Sequence, residues 1–351
     1  MPSSSALLYS LLIAVSIVSL SLLAFLGYIW IRYSPIIGRI FEDAPVFQPL
    51  RAEPIRDGED VRFPTADGFS LAGTYYSTRA PARAGVVVFC HEFLGDRGSA
   101  SVYVQSLLEL GFDLFTFDFR NHGESESEPG YSPLQWVSNR ETRDLKAALA
   151  YLRKRPDADP AGAGLFGVSR GGSAAICVMA REPRVWGLLT DGAFPTRSTM
   201  LSYILRWAEI YVGSKSLWHS MPLWIFKFAG WAGRMRSQWR LGRRFPDVER
   251  AVAKLSPRPL MMIHGERDAY IGTDIARDLF NRAGEPKQLW LVPGAKHNRC
   301  REVDPDGYRE HVNAFFRRFA PRGLSARSES SDTDGHELAA VGPLRPVPSP
   351  Q

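Results

Sequence analysis

The chain has 351 residues, 45% of them hydrophobic and 23% charged, with a mild net charge of +6. This is ordinary globular composition, which sets aside a disordered or fibrous chain and leaves room for one large domain or two small ones. Three cysteines, Cys90, Cys177 and Cys300, are odd in number and lack metal-ligand or CxxC spacing, so they argue against a disulfide framework and suit a reducing compartment.

The N-terminus opens with 26 residues, Ala6 to Ile31, that carry no charged side chain. As a helix this run reaches about 39 Å, more than the ~30 Å hydrocarbon core of a bilayer. Tyr28, Trp30 and Tyr33 stand near its C-terminal end, where amphipathic aromatics favour the interface. A cleaved signal peptide would have a shorter apolar region of about 7–15 residues, led by Lys or Arg and closed by a small-x-small site, and fits less well. The expectation is a single-pass transmembrane anchor over 6–31. Arg32, Arg39, Arg51 and Arg56 follow it, while no charged side chain stands among the five residues before it. The positive-inside bias therefore places the bulk of the chain in the cytoplasm. Residues 34–60, with prolines at 35, 45, 49 and 54, read as an irregular tether in which no helix settles.

A regular alternation follows. "VRFPTADGFSLAGTYYST" predicts two β segments around Asp67-Gly68. "GVVVFCH", Gly85 to His91, is a continuous apolar run of the kind found in strands covered on both faces. A helical pattern around Val102, Leu107 and Leu108 precedes the strand "FDLFTFDF". Gln135 to Arg155 carries apolar residues near a 3.6 period and predicts an amphipathic helix. "AGLFGV", "WGLLTDG", "PLMMIHG" and "KQLWLVPG" supply four more strands. Such alternation implies an α/β fold with a mainly parallel central sheet flanked by helices. Residues 194–250 break the rhythm and predict an inserted helical cap. Residues 321–351, rich in Ser, Pro and Gly, predict a disordered tail.

Chemistry concentrates at "AGLFGVSRGG", where an apolar strand runs into Gly167-Val168-Ser169-Arg170-Gly171 and a helical pattern follows at once. This is G-x-S-x-G in strand-turn-helix context: flanking glycines relieve crowding around a serine on a sharp turn, and the helix N-terminus beneath adds free N–H donors. A serine nucleophile needs a base and an acid to orient that base. Asp268 follows one strand end and His297 the next, which supplies an acid and a base in the chain order Ser169, Asp268, His297. Asp191, also just past a strand, is a rival for the acid. Cys300 lacks the strand-turn-helix setting of a nucleophile.

These residues, with "VVVFCHEFLGDRGS" and "FDFRNHGES", carry a resemblance to α/β-hydrolase fold serine hydrolases over residues 61–320. The resemblance implies an α/β-hydrolase fold with a cap insertion, and a triad of Ser169, Asp268 and His297. The backbone N–H groups of Phe93 and Arg170 would form the oxyanion hole. His91, Asp118, Arg120 and His122 would support the site, the two histidines by bracing its loops. No cofactor and no metal are implied. Where the family usually has His-Gly, this chain has His91-Glu92. Glu92 is expected to turn away into a salt bridge, to Arg97 or Arg120, rather than to act in the chemistry.

The cap holds ten Arg and Lys against three Asp and Glu, with five of the nine tryptophans. Aromatic residues interleaved with basic ones suit a bilayer interface or a cleft for an acyl chain with an anionic head; packing of the tryptophans onto the core would produce the same composition. Nucleic acid is a poor fit. The reading is a hydrolase of a small-molecule or lipid-like ester at a membrane. The alternatives are a peptidase of the same fold and a non-catalytic binding protein.

Overall fold

The computed structural model describes residues 4–45, 48, 50–211 and 220–321. Eight strands form one sheet: β1 (Glu59–Pro64), β2 (Ser70–Tyr76), β3 (Gly85–Cys90), β4 (Phe112–Phe117), β5 (Ala163–Val168), β6 (Val185–Asp191), β7 (Leu260–Gly265) and β8 (Lys287–Val292), in the order β1-β2-β4-β3-β5-β6-β7-β8. β1 and β2 are an antiparallel hairpin, β2 pairs antiparallel with β4, and every other neighbour is parallel. The apolar runs are continuous because both faces are covered. Val86, Val88 and Cys90 face one core with α2 (Asn139–Lys154), α3 (Arg170–Met179) and α6 (Thr273–Arg282). Val87 and Phe89 face a second core with α7 (Pro305–Phe319). This is the mainly parallel α/β arrangement expected. α2 begins four residues later than its periodicity suggested, at a capping box in which Ser138 and Glu141 satisfy each other's backbone N–H groups.

Between β6 and β7 lie α4 (Thr196–Tyr211), α5 (Leu223–Arg240) and a short helix, Val248–Val252. They do not sit on the sheet alone. Helix α1 (Ser4–Glu42) passes through Pro35 and runs eleven residues beyond Ile31, so the first part of the expected tether is helix. Proline removes one backbone bond and strains the preceding turn, at about 3 kcal/mol or more in a helix interior. Packing offsets this. Ile29, Ile37 and Phe41 are buried with Trp136, Phe194, Met200, Ile204, Phe226 and Phe245 in a third core. Gly38 and Gly233 let the two backbones approach: a Cβ on Gly233 would stand 2.5 Å from Ile37 Cγ2. Ser237 Oγ donates to the Gly38 carbonyl at 3.0 Å, and Trp136 Nε1 donates to that of Ile40 at 2.8 Å. Most of the N-terminal half of α1 exposes its apolar side chains; it is long and apolar enough to cross a membrane. Past Asp43 the described residues to Asp57 are irregular. Of the cap, Lys215 and Trp218, and of the expected tail all but Pro321, lie outside the described residues.

Candidate active site

β5 delivers Ser169 to the edge of the sheet and α3 begins at the next residue. Ser169 has φ 51° and ψ −117°, a conformation that costs a non-glycine residue on the order of 1–3 kcal/mol. Its surroundings hold it there. The Ser169 N–H donates to the Asp191 carbonyl at 2.7 Å. The glycines on either side permit the close approach: a Cβ on Gly171 would lie 2.3 Å from the Cys90 carbonyl oxygen and 2.5 Å from that of His91.

The structure brings Ser169, His297 and Asp268 into one hydrogen-bonded chain. Ser169 Oγ lies 2.9 Å from His297 Nε2, and His297 Nδ1 lies 2.5 Å from Asp268 Oδ2. The other oxygen of Asp268 accepts the backbone N–H groups of Tyr270 and Ile271, both at 2.9 Å. Burial alone would raise the Asp268 carboxyl, but the hydrogen bond and charge of His297 outweigh it and hold the group below its usual range. It is therefore an ionised acceptor for Nδ1–H, leaving Nε2 able to take a proton from Oγ. Asp191 stands elsewhere: its Oδ2 accepts from the Tyr308 hydroxyl at 2.9 Å, and burial pushes it up to about 6. The Cys300 thiol is buried and pushed far above its usual value by desolvation, which disfavours the thiolate.

The two backbone N–H groups expected to receive an oxyanion, those of Arg170 and Phe93, are set by their neighbours. Arg170 is the first residue of α3, where a helical N–H has no intrahelical partner. In the Phe119–His91 contact the backbone N–H of Phe119 donates to His91 Nε2 at 3.1 Å. His91 Nδ1–H therefore donates to the Glu92 carbonyl at 2.8 Å. A trans peptide points its C=O and N–H in opposite directions, so this bond turns the Phe93 N–H to the side away from His91. His122 is pinned in the same way, accepting from Arg170 Nη2 at 3.0 Å and donating to the Arg120 carbonyl at 2.8 Å. Burial holds His91 down to about 3 and His122 well below its ordinary value, so both are neutral braces.

The charged supports form two knots. Asp118 accepts from the Arg97 backbone and guanidinium and from the Glu124 N–H. Arg120, fully buried, pairs with Asp67, Glu128 and Asp144. Arg170 has a second role that its backbone does not reveal: its buried guanidinium donates to the Leu134 carbonyl at 3.0 Å, lies 3.5 Å from Glu141, and stacks over Phe93 and Phe119. It ties the Ser169 turn to the loops on both sides.

Glu92 departs from expectation. Both candidate arginines are occupied by other carboxylates, and Glu92 pairs with neither. Its side chain is buried against Gly95 and the backbone of Leu50, with Oε2 unpartnered among the described residues. Burial pushes this carboxyl up to about 7 from an ordinary 4.5. Below the lower value both folded and unfolded chains carry the proton; as pH rises to the upper value the unfolded chain releases it first, and stability is lost. Glu92→Gln is therefore expected to leave turnover intact and to stabilise the protein increasingly from pH 5 to pH 8, by on the order of 2–3 kcal/mol at the upper end. Thermal midpoints of both proteins across that range check it.

A cleft of about 390 Å³ opens above Ser169 and His297, lined chiefly by Phe93, Trp136, Phe194, Tyr203, Trp207 and Ile271, with Arg206 among its few polar residues. Among the described residues, none that lines it is acidic. Motif reasoning read Phe93 for its backbone alone and assigned no other residue to these walls, which come from five separate segments and share no spacing. It also missed His264, whose Nε2 donates to the Ile271 carbonyl at 2.9 Å and lies 3.5 Å from Asp268 Oδ2. A histidine ending an apolar strand four residues before Asp268 was the one available signal.

Comparison with known proteins places this geometry in context. A family model described as alpha/beta hydrolase fold matches residues 85–312, from β3 into α7. The chain is 28% identical to the uncharacterized protein YfhR of Escherichia coli K12 over 265 residues, 74% of this chain and 80% of YfhR. It is 26% identical over 315 residues to an uncharacterized protein of Mycobacterium tuberculosis H37Rv, covering 88% of this chain and 96% of that one. Among solved structures, the esterase Pf2001 of Pyrococcus furiosus superposes with a TM-score of 0.56 at 21% identity, over 78% of this chain and all of the esterase.

Proposed function

The chain belongs to the alpha/beta hydrolase fold family, and from that premise we propose that it is a membrane-anchored serine hydrolase cleaving carboxylic esters through an acyl-enzyme. The observation that carries the reading is the unbroken chain Ser169–His297–Asp268 at a strained turn on the floor of an apolar cleft. His297 takes the Ser169 proton as Oγ attacks the ester carbonyl. Asp268 fixes the tautomer and steadies the imidazolium. The N–H groups of Phe93 and Arg170 receive the developing oxyanion. His297 returns the proton to the leaving alcohol, then activates the water that releases the acid. The ester class is favoured by the fold shared with an esterase and by a cleft whose described lining residues include no acidic one to receive a peptide N-terminus. Helix α1 anchors the chain in this reading, and the arginines after it favour a cytoplasmic catalytic domain.

The test is a fluorophosphonate probe on the full-length protein in detergent, followed by mapping of the adduct. Labelling confined to Ser169, with release of acid from an aryl ester, supports the reading. A folded protein that takes no label and turns over no ester overturns it.

A further inference from the structure

The cap helix α5 does not simply lean on α1; it runs parallel to it over its whole length. Phe25 meets Trp224 with ring centroids 6.4 Å apart, and Trp30 meets Trp231 at 5.7 Å. Further along, Ser237 bonds to Gly38, and Arg240 pairs with Glu42 at 3.0 Å. Depth along α1 therefore translates directly into depth along α5. If the hydrocarbon core takes about 20 residues from Leu7, it ends near Phe25, and the N-terminal tip of α5 lies at that boundary.

The chemistry of α5 is ordered to match. Its first eleven residues, Leu223 to Gly233, contain one charged side chain, Lys227; its last seven contain Arg234, Arg236 and Arg240. Aromatic residues at the boundary and cations beyond it are the sequence of groups met on leaving a phospholipid leaflet. α4 lies against α5, with Met200 and Ile204 filling the space beside Gly230. Trp207 and Ile210, further along α4 toward its junction with α5, therefore point to the same end. Five large side chains are exposed there: Trp207, Ile210, Leu223, Trp224 and Trp231. Trp207 also lines the cleft above Ser169. The apolar surface and the entrance to the site thus share a residue, and the surface is continuous with the exposed apolar face of α1.

We infer that this end of the cap is a second membrane contact, seated in the phospholipid leaflet beside α1, and that the cleft draws long-chain acyl esters from that leaflet. The second half rests on the hydrolase reading above; the first half does not. Trp239 supplies an internal control. It is 83% exposed but stands fifteen residues past Trp224 on the same helix, about 22 Å further from the bilayer.

The experiment reconstitutes the full-length protein in phosphatidylcholine–phosphatidylglycerol vesicles, with and without bromine on the acyl chains, and measures tryptophan quenching. Trp224→Phe and Trp231→Phe are expected to lower the amount of emission lost to bromine, and Trp239→Phe to leave that amount unchanged. In the same vesicles, Ile210→Ser combined with Leu223→Ser is expected to lower kcat/KM for a vesicle-borne long-chain ester about tenfold and to leave a water-soluble acetyl ester unaffected. Unquenched Trp224 and Trp231 would overturn the membrane contact, with the anchor and the chemistry untouched. Equal loss on both esters would overturn delivery from the leaflet. Quenching as expected in a protein that hydrolyses neither ester would remove the hydrolase reading and leave the contact standing.

Discussion

Ser169→Ala is expected to lower kcat on ester substrates by on the order of 10⁴–10⁶-fold and to abolish fluorophosphonate labelling, with little change in thermal midpoint. The size follows from the geometry. Oγ is the atom within reach of His297 Nε2, so without it His297, Asp268 and the two backbone donors have no attack to assist. What remains is the oxyanion site and binding alone. Asp268→Asn separates orientation from nucleophilicity: the amide no longer demands a donor at Nδ1, and a fall of about 10⁴-fold is expected with labelling slowed rather than lost. Ser169→Gly adds a structural check. A glycine adopts φ 51° without strain, so this variant should be as inactive as the alanine and more stable by about 1 kcal/mol. A Ser169→Ala protein that kept a tenth or more of its ester turnover would remove the serine from the mechanism.

The site was legible because its residues obey local rules. G-x-S-x-G marks a turn that only small flanking residues permit, and the Asp268 and His297 loops each follow an apolar run short enough to be a strand. The eight strands were readable for the same reason. Glu92 was not, because an ion pair is decided by competition across the fold: Arg97 is taken by Asp118 and Glu124, and Arg120 by Asp67, Glu128 and Asp144. Arg170 was half legible, its backbone role following from the motif and its buried guanidinium from nothing nearby in sequence. Residues 34–42 misled because proline is a local penalty and helix continuation a tertiary decision. The cleft walls carry no motif, being assembled from loops and helices far apart in the chain.

Phe41→Ala is the second large effect, expected to cost the cap about 3–5 kcal/mol and to raise KM for hydrophobic esters more than it lowers kcat. Phe41 is fully buried, with its ring 5.0 Å from Trp136 and 4.8 Å from Phe245. Its removal leaves a cavity directly behind Trp136, which forms a wall of the cleft, while the Ser169–His297–Asp268 chain lies on the sheet and keeps its supports. Phe25→Ala is the matched control: its ring meets Trp224 at the tip of α5, outside the buried cluster, and the thermal midpoint should hardly move. The same contrast governs truncation. Deleting residues 1–24 spares Ile29, Ile37 and Phe41, whereas deleting 1–42 takes all three from the cap core and should yield a protein that aggregates or loses the cleft. Were Phe41→Ala to leave both midpoint and KM unchanged, α1 would be a passenger on the cap. If both shift as expected, the last third of α1 is part of the hydrolase domain, and the helix proposed to hold the chain at a membrane also shapes the room in which its substrate sits.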